Sequence, residues 1–147
     1  MNVVTSCLLF TGLTLAAALA GAQSPKSTGL AQQLRASHWQ KRVLLIGAPT
    51  ASQADFQQQK KLLAATPDQL QERDFLVLEL PYDQLSAADR QYWQQELKQP
   101  LTSFAVVLIG KDGGVKRTET KPLAPADLFG TVDKMPMRRQ EARRQKK

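Results

Sequence analysis

The chain has 147 residues, one cysteine and one histidine, and its formal net charge at pH 7 is +7. Because the cysteine is Cys7, a mature form that begins after residue 22 holds no thiol, which excludes a thiol-disulfide oxidoreductase or a thiol peroxidase. One histidine without a thiolate also lacks the usual ligands of a zinc site, and we expect no metal and no cofactor.

Residues 1–22 have the features of a signal peptide. An apolar run from Cys7 to Ala20 ends in Ala20-Gly21-Ala22, which fits the small-x-small cleavage rule. The run is shorter than the roughly 20 apolar residues of a membrane span. We therefore expect an exported protein, periplasmic or secreted, in which residues 23–29 form a flexible linker. An uncleaved membrane anchor stays open as the alternative, because the first six residues carry no lysine or arginine.

Hydrophobic periodicity predicts alternating helices and strands in the rest of the chain. Continuous apolar runs, typical of strands buried on both faces, occur at 42–47, 75–80 and 104–109. Polar segments with apolar residues near helical spacing predict helices at 30–39, 53–66, 67–74, 86–98 and 125–134. The aromatic and aliphatic residues expected in the core include Trp39, Phe75, Phe104, Leu108 and Phe129.

Asp112-Gly113-Gly114 predicts a β-hairpin between the third strand and a fourth strand at 115–119, because a tight turn needs positive φ at its centre. The last strand would then be antiparallel to the third, whereas strand–helix–strand units give parallel neighbours. The predicted fold class is α/β. It is a thioredoxin-like three-layer fold, with a mixed central sheet, a C-terminal β-hairpin and helices on both faces, over residues 30–133.

Residues 134–147 are predicted to form a basic C-terminal tail. Seven bases and one acid, Glu141, give this segment a charge of +6, so the rest of the chain sums to +1. Candidate binding residues in it are Arg138, Arg139, Arg143 and Arg144. Anionic lipid, lipopolysaccharide or an envelope protein are the expected partners, and a solvated terminus without a partner is the alternative. Nucleic acid is not expected, since export removes it and no aromatic platform lies near the tail.

Several motifs resemble one known family. They are Trp39-x-x-Arg42, Arg73-Asp74 at the second strand, Gly110-Lys111-Asp112-Gly113-Gly114-Val115-Lys116, and Asp133-x-Met135-Pro136-Met137. Together they resemble a domain of unknown function found in exported bacterial proteins and related to a domain of vertebrate Equarin and the sushi-repeat-containing matrix proteins. The resemblance covers about residues 30 to 142. It implies a thioredoxin-like fold, distantly similar to peroxiredoxins, and brings no established activity.

The predicted function is a non-catalytic binding module of unknown ligand, and no catalytic residue is assigned. Lys111, Asp112 and Lys116 are expected to be solvated around the hairpin and are candidate binding residues. The other motif residues are expected to have structural roles, the charged ones in ion pairs. Two alternatives remain open: a non-thiol enzyme that uses carboxylates such as Asp74, Asp112 or Asp133, and a structural envelope protein.

The segment after the first strand is where thioredoxins and peroxiredoxins carry their reactive cysteine. In this chain it holds Thr50 and Ser52, with no histidine nearby in sequence. An N-cap at Ser52 is the expected role, and the helix N-terminus beyond it is a weak candidate for binding a small anion.

Overall fold

The computed structural model describes residues 28–146, so the predicted signal peptide and most of the predicted linker lie outside the described residues. The elements in chain order are α1 (Leu30–Ser37), β1 (Arg42–Ala48), α2 (Ala54–Ala64), α3 (Pro67–Glu72), β2 (Phe75–Pro81), a 3₁₀ turn (Tyr82–Gln84), α4 (Ala87–Gln95), β3 (Ala105–Ile109), β4 (Val115–Glu119), α5 (Pro125–Asp133) and α6 (Pro136–Gln145). Among these residues, no helix is long and apolar enough to cross a bilayer.

The four strands form one mixed sheet in the order β2-β1-β3-β4. β1 is parallel to β2 and antiparallel to β3, and β4 is antiparallel to β3. The predicted mixed sheet and the C-terminal hairpin are confirmed. Only one of the two strand–helix–strand connections gives parallel neighbours, because α4 and residues 96–104 return the chain to the end of the sheet at which β2 finishes.

Alternate side chains of the central strands belong to two separate hydrophobic cores, one on each face of the sheet. Helices cover both cores, which confirms the predicted helices on both faces. Leu44 and Ile46 of β1 pack with residues of α2 and α5, including Phe56 and Leu128. The other face of β1 packs against α1 and α4, where Trp93 is fully buried. Both inner strands are buried along their entire length, as expected of strands covered on each side.

Most element bounds differ from the predicted ones by one to three residues, and two differences concern residues of the sequence motifs. α1 ends at Ser37 rather than at Trp39, because the backbone of His38 already leaves the helical region, with φ of −56° and ψ of 129°. Trp39 then adopts a left-handed backbone with φ of 64°. The segment predicted as a tail contains α6, a ten-residue helix in which Arg138 is only 4% exposed. Pro136 begins this helix, a position that suits proline because it needs no N–H donor.

Candidate functional site

The motif residues lie together at one end of the sheet. This end is formed by the first residues of β1 and β2 and by the hairpin between β3 and β4, and α6 packs across it. Gly113 has a φ of 79°, which supplies the positive φ that the hairpin requires. The loop that follows β1, residues 49–53, lies at the opposite end of the same strand.

Arg42 and Glu141 fix α6 to the sheet. The Arg42 side chain is only 1% exposed, and its Nη1 donates to the Glu141 carboxylate at 3.1 Å and to the Arg73 carbonyl at 2.9 Å. Glu141 also accepts from Lys111 Nζ at 2.8 Å, and the same ammonium donates to Asp74 at 2.7 Å. Strand β1, the hairpin and α6 therefore meet in one chain of alternating charges.

A second charge cluster holds the other side of α6. Arg73 makes two 2.9 Å hydrogen bonds to the Asp133 carboxylate, and its guanidinium lies 4.7 Å from the centre of the Phe129 ring. Arg138 also contacts Asp133 and donates to the carboxylate and carbonyl oxygens of Glu72. The charged motif residues thus occur in ion pairs.

Three carboxylates of these clusters, Asp74, Asp133 and Glu141, have lowered pKa values, which favours their charged form. The hydrogen bond from Arg73 lowers the pKa of Asp133 below its ordinary value. Burial raises the pKa of Glu141, but the hydrogen bonds and charges of Lys111 and Arg42 outweigh it, so the net shift is downward. In Asp74, burial is likewise outweighed by Lys111, with smaller effects of Lys41 and Arg42, and the pKa is lowered.

These lowered pKa values predict a loss of stability in acid. Their contribution is complete above the unfolded pKa of about 4 and is lost as the pH falls through the lower folded pKa values. We expect the free energy of unfolding, measured with urea between pH 6 and pH 2, to decrease below about pH 4. Asp133→Asn should flatten this decrease, whereas Asp68→Asn, at an exposed position, should keep the wild-type profile. A wild-type slope in Asp133→Asn would contradict the prediction.

The structure corrects the prediction that Lys111 is solvated, because this residue is only 8% exposed. Two carboxylates pair with its ammonium, that of Glu141 in α6 and that of Asp74, which precedes β2. Asp112 and Lys116 remain at the surface, where the ammonium of Lys116 contacts Asp112 at 2.6 Å. The hydrogen bond to Lys116 lowers the pKa of Asp112.

The hairpin and the start of α6 enclose a cleft of about 300 Å³. Its lining joins motifs that are distant in sequence: Arg42, Gly110, Lys111, Asp112, Lys116, Met135, Pro136 and Met137. Met135 also packs on the core beneath α5. A larger groove of about 520 Å³ lies between α2 and α3, but it is more open and none of the motif residues lines it.

Trp39 is exposed, which corrects its prediction as a core residue. It is 61% exposed, stacks on His38 at 4.7 Å between ring centres, and donates its backbone N–H to the Lys111 carbonyl at 2.6 Å. The His38 ring in turn lies 2.9 Å from the Asp112 carbonyl oxygen. The hairpin therefore holds Trp39 at the surface in a backbone conformation that is unusual for a bulky residue.

The four arginines predicted to bind all lie on α6, but they differ in exposure. Arg138 is buried in ion pairs, whereas Arg139, Arg143 and Arg144 are exposed. None of these three makes an ion pair with another residue of the described range.

The geometry does not assemble a catalytic group from the residues considered in the sequence. Thr50 and Ser52 hydrogen-bond each other at 3.1 Å, and Gln53 rather than Ser52 is the N-cap of α2. His38 lies beyond the other end of β1, about 20 Å away for a seven-residue strand. Asp74, Asp112 and Asp133 pair with different cations, and no three potential metal-ligating side chains converge within residues 28–146.

Comparisons with known proteins agree with this fold. The structure is similar to the crystal structure of reduced 2-Cys peroxiredoxin from Plasmodium vivax, with a TM-score of 0.56 and 14% sequence identity, over 73% of this chain and 84% of that chain. This likeness establishes a thioredoxin-like fold. No curated protein sequence matches the chain. Residues 33–141 match the family described as a domain of unknown function, DUF4174, and because the match covers most of the sequence, the chain belongs to that family.

Proposed function

We propose that this protein is an exported, non-catalytic binding module that attaches to anionic lipid surfaces through α6. The observation that carries the proposal is the division of charge on this helix. Arg138 and Glu141 face the domain and fix the helix in place, while the remaining cations face solvent. Fixed cations near an anionic membrane contribute about 1 kcal/mol each to binding.

The spacing of the exposed cations favours a surface contact. Arg139 and Arg143 of α6 and Lys146 at its C-cap are separated by four and three residues, so they lie on one flank of the helix. Arg144 lies on the other flank, and all four are exposed. Since the helix is docked, these charges are presented together without the entropy cost of ordering a free tail.

Trp39 supports a lipid surface rather than a dissolved polyanion. Its backbone is bound to Lys111, and the side chain of Lys111 is bound to Glu141 of α6, so the indole and the helix belong to the same end of the molecule. Tryptophan prefers the headgroup level of a bilayer, where its apolar ring and polar N–H are both accommodated. The export signal predicted for residues 1–22 is consistent with a surface outside the cytoplasm.

Vesicle binding tests the proposal directly. The protein should bind vesicles of equal phosphatidylglycerol and phosphatidylcholine at low salt, and binding should weaken as salt is added. Replacing Arg139, Arg143 and Arg144 by glutamine should weaken partitioning about 100-fold, since three contacts of about 1 kcal/mol are lost. Sedimentation of the vesicles measures the bound fraction.

The control removes the same charge elsewhere. Arg35, Lys61 and Lys121 are exposed and lie outside α6, so their replacement by glutamine should leave most of the binding intact. Trp39 fluorescence should shift to the blue and be quenched by brominated lipid, with buried Trp93 as the internal reference. Equal losses in both triple variants, or binding to dissolved polyphosphate but not to vesicles, would contradict the proposal.

A further inference from the structure

The cleft between the hairpin and α6 holds hydrogen-bond donors that the fold leaves unused. The Lys111 ammonium has three protons and donates to two carboxylates, so one proton is unused. Lys116 donates one of its three to Asp112. Nε of Arg42 is buried and has no partner among the described residues, although Arg42 lines the cleft.

The first turn of α6 has two further donors, and Met137 of this turn lines the same cleft. No side chain caps this helix, and Pro136 has no N–H group. The amides of Met137 and Arg138 have no acceptor within residues 28–146. An uncapped helix N-terminus favours an anion through its free N–H groups and the helix dipole. Side chain and backbone donors therefore converge on one cleft from three parts of the chain.

The charge around the cleft suits a single negative charge. Four cations, Lys41, Arg42, Lys111 and Lys116, face three acids, Asp74, Asp112 and Glu141, which leaves one positive charge in excess. The acids occupy only part of the donor set, so a monoanion would complete the hydrogen bonds. A dianion such as a phosphate monoester would add a second charge near Asp112 and Glu141, which is unfavourable.

The rest of the lining is apolar. Met135, Pro136 and Met137 form one wall, and methionine side chains adapt to ligands of different shape. A volume of about 300 Å³ is at the lower end of ligand-binding cavities, which suits a short chain or a single ring.

We infer that this cleft is a binding site for a small monocarboxylate with an apolar chain or ring. The carboxylate lies toward the α6 N-terminus, Lys111 and Lys116, and the apolar part lies against Met135 and Met137. The inference stands independently of lipid binding, because it uses none of the exposed arginines of α6.

Hexanoate is the probe for this site, and amide NMR of the full chain is the measurement. Hexanoate should shift the amide resonances of Lys116, Met137 and Arg138. Hexanol and hexylammonium, which lack the carboxylate, should not shift them, and inorganic phosphate should bind more weakly than hexanoate because it lacks the apolar chain.

Two variants and a control decide the outcome. Lys116→Gln should weaken hexanoate at least about tenfold, as expected for loss of a charge-assisted hydrogen bond. Met137→Glu should abolish binding by placing an acid in the cleft, and Lys121→Gln, the same change at a distant exposed position, should bind as the wild type does. Hexanol binding as tightly as hexanoate, an unchanged affinity in Lys116→Gln, or shifts confined to the groove between α2 and α3 would overturn the inference.

Discussion

Replacement of Glu141 by glutamine should lower the free energy of unfolding by about 3 kcal/mol, the cost of removing one partner from a buried ion pair. Arg42 would keep its bond to the Arg73 carbonyl but lose its counter-charge at a site that is 1% exposed. Lys111 would keep only its ion pair with Asp74. The amide of glutamine cannot replace the charge, so the burial cost of Arg42 is no longer offset and that of Lys111 is offset by Asp74 only.

A matched pair on the surface supplies the control. Glu79 pairs with Lys60 at 2.8 Å, but both side chains are more than a third exposed. Glu79→Gln should therefore change stability by less than about 1 kcal/mol. Urea unfolding of the two variants at pH 7 measures both effects. If Glu141→Gln were no more destabilising than Glu79→Gln, the charges would not be what holds α6 on the domain.

Replacement of Gly47 by alanine should cost about 2 kcal/mol through overpacking. A Cβ atom at this position would lie 2.5 Å from the Tyr82 hydroxyl and 2.6 Å from the Trp93 ring. Neither side chain can withdraw without losing a hydrogen bond, since Tyr82 donates to the Ser103 carbonyl and Trp93 to the Pro100 carbonyl, both at 3.0 Å. The close approach of β1 to α4 depends on the missing side chain.

Gly130 in α5 offers the opposite case. A Cβ atom there meets nothing within 4 Å, so Gly130→Ala should stabilise the helix by about 0.5 to 1 kcal/mol. Thermal unfolding of the two alanine variants should therefore give shifts of opposite sign. A stabilising effect of Gly47→Ala would contradict the prediction, because it would mean that the core around Tyr82 and Trp93 can accommodate a methyl group.

The sheet and its helices could be predicted from the sequence because their signals are local. β1 and β3 are continuous apolar runs, and Ser86, at the start of the predicted fourth helix, caps α4 by accepting from the Asp89 amide. The hairpin is visible in three consecutive residues, 112–114. These patterns depend on neighbours in the chain, so they can be read without knowing what lies opposite them in the fold.

The candidate site could be predicted only in part, because its contacts are long-range and ionic. α6 has few apolar residues, so periodicity could not show that it docks. The one signal was a single acid, Glu141, among the seven bases of residues 134–147. The burial of Lys111 depends on that acid. The prediction that Trp39 lies in the core was wrong because its backbone is left-handed. Tryptophan rarely adopts this conformation, and no sequence pattern predicts it.

The Arg42–Glu141 contact has a consequence for folding kinetics. These residues are 99 positions apart, so the contact closes a loop that includes nearly the whole domain. Contacts of such separation form late, after the local helices and the hairpin. An interaction absent from the transition state acts on the rate of opening rather than on the rate of assembly. The charges that hold α6 should thus slow the spontaneous opening of the domain while leaving its refolding speed nearly unchanged, which stopped-flow measurements on Glu141→Gln can separate.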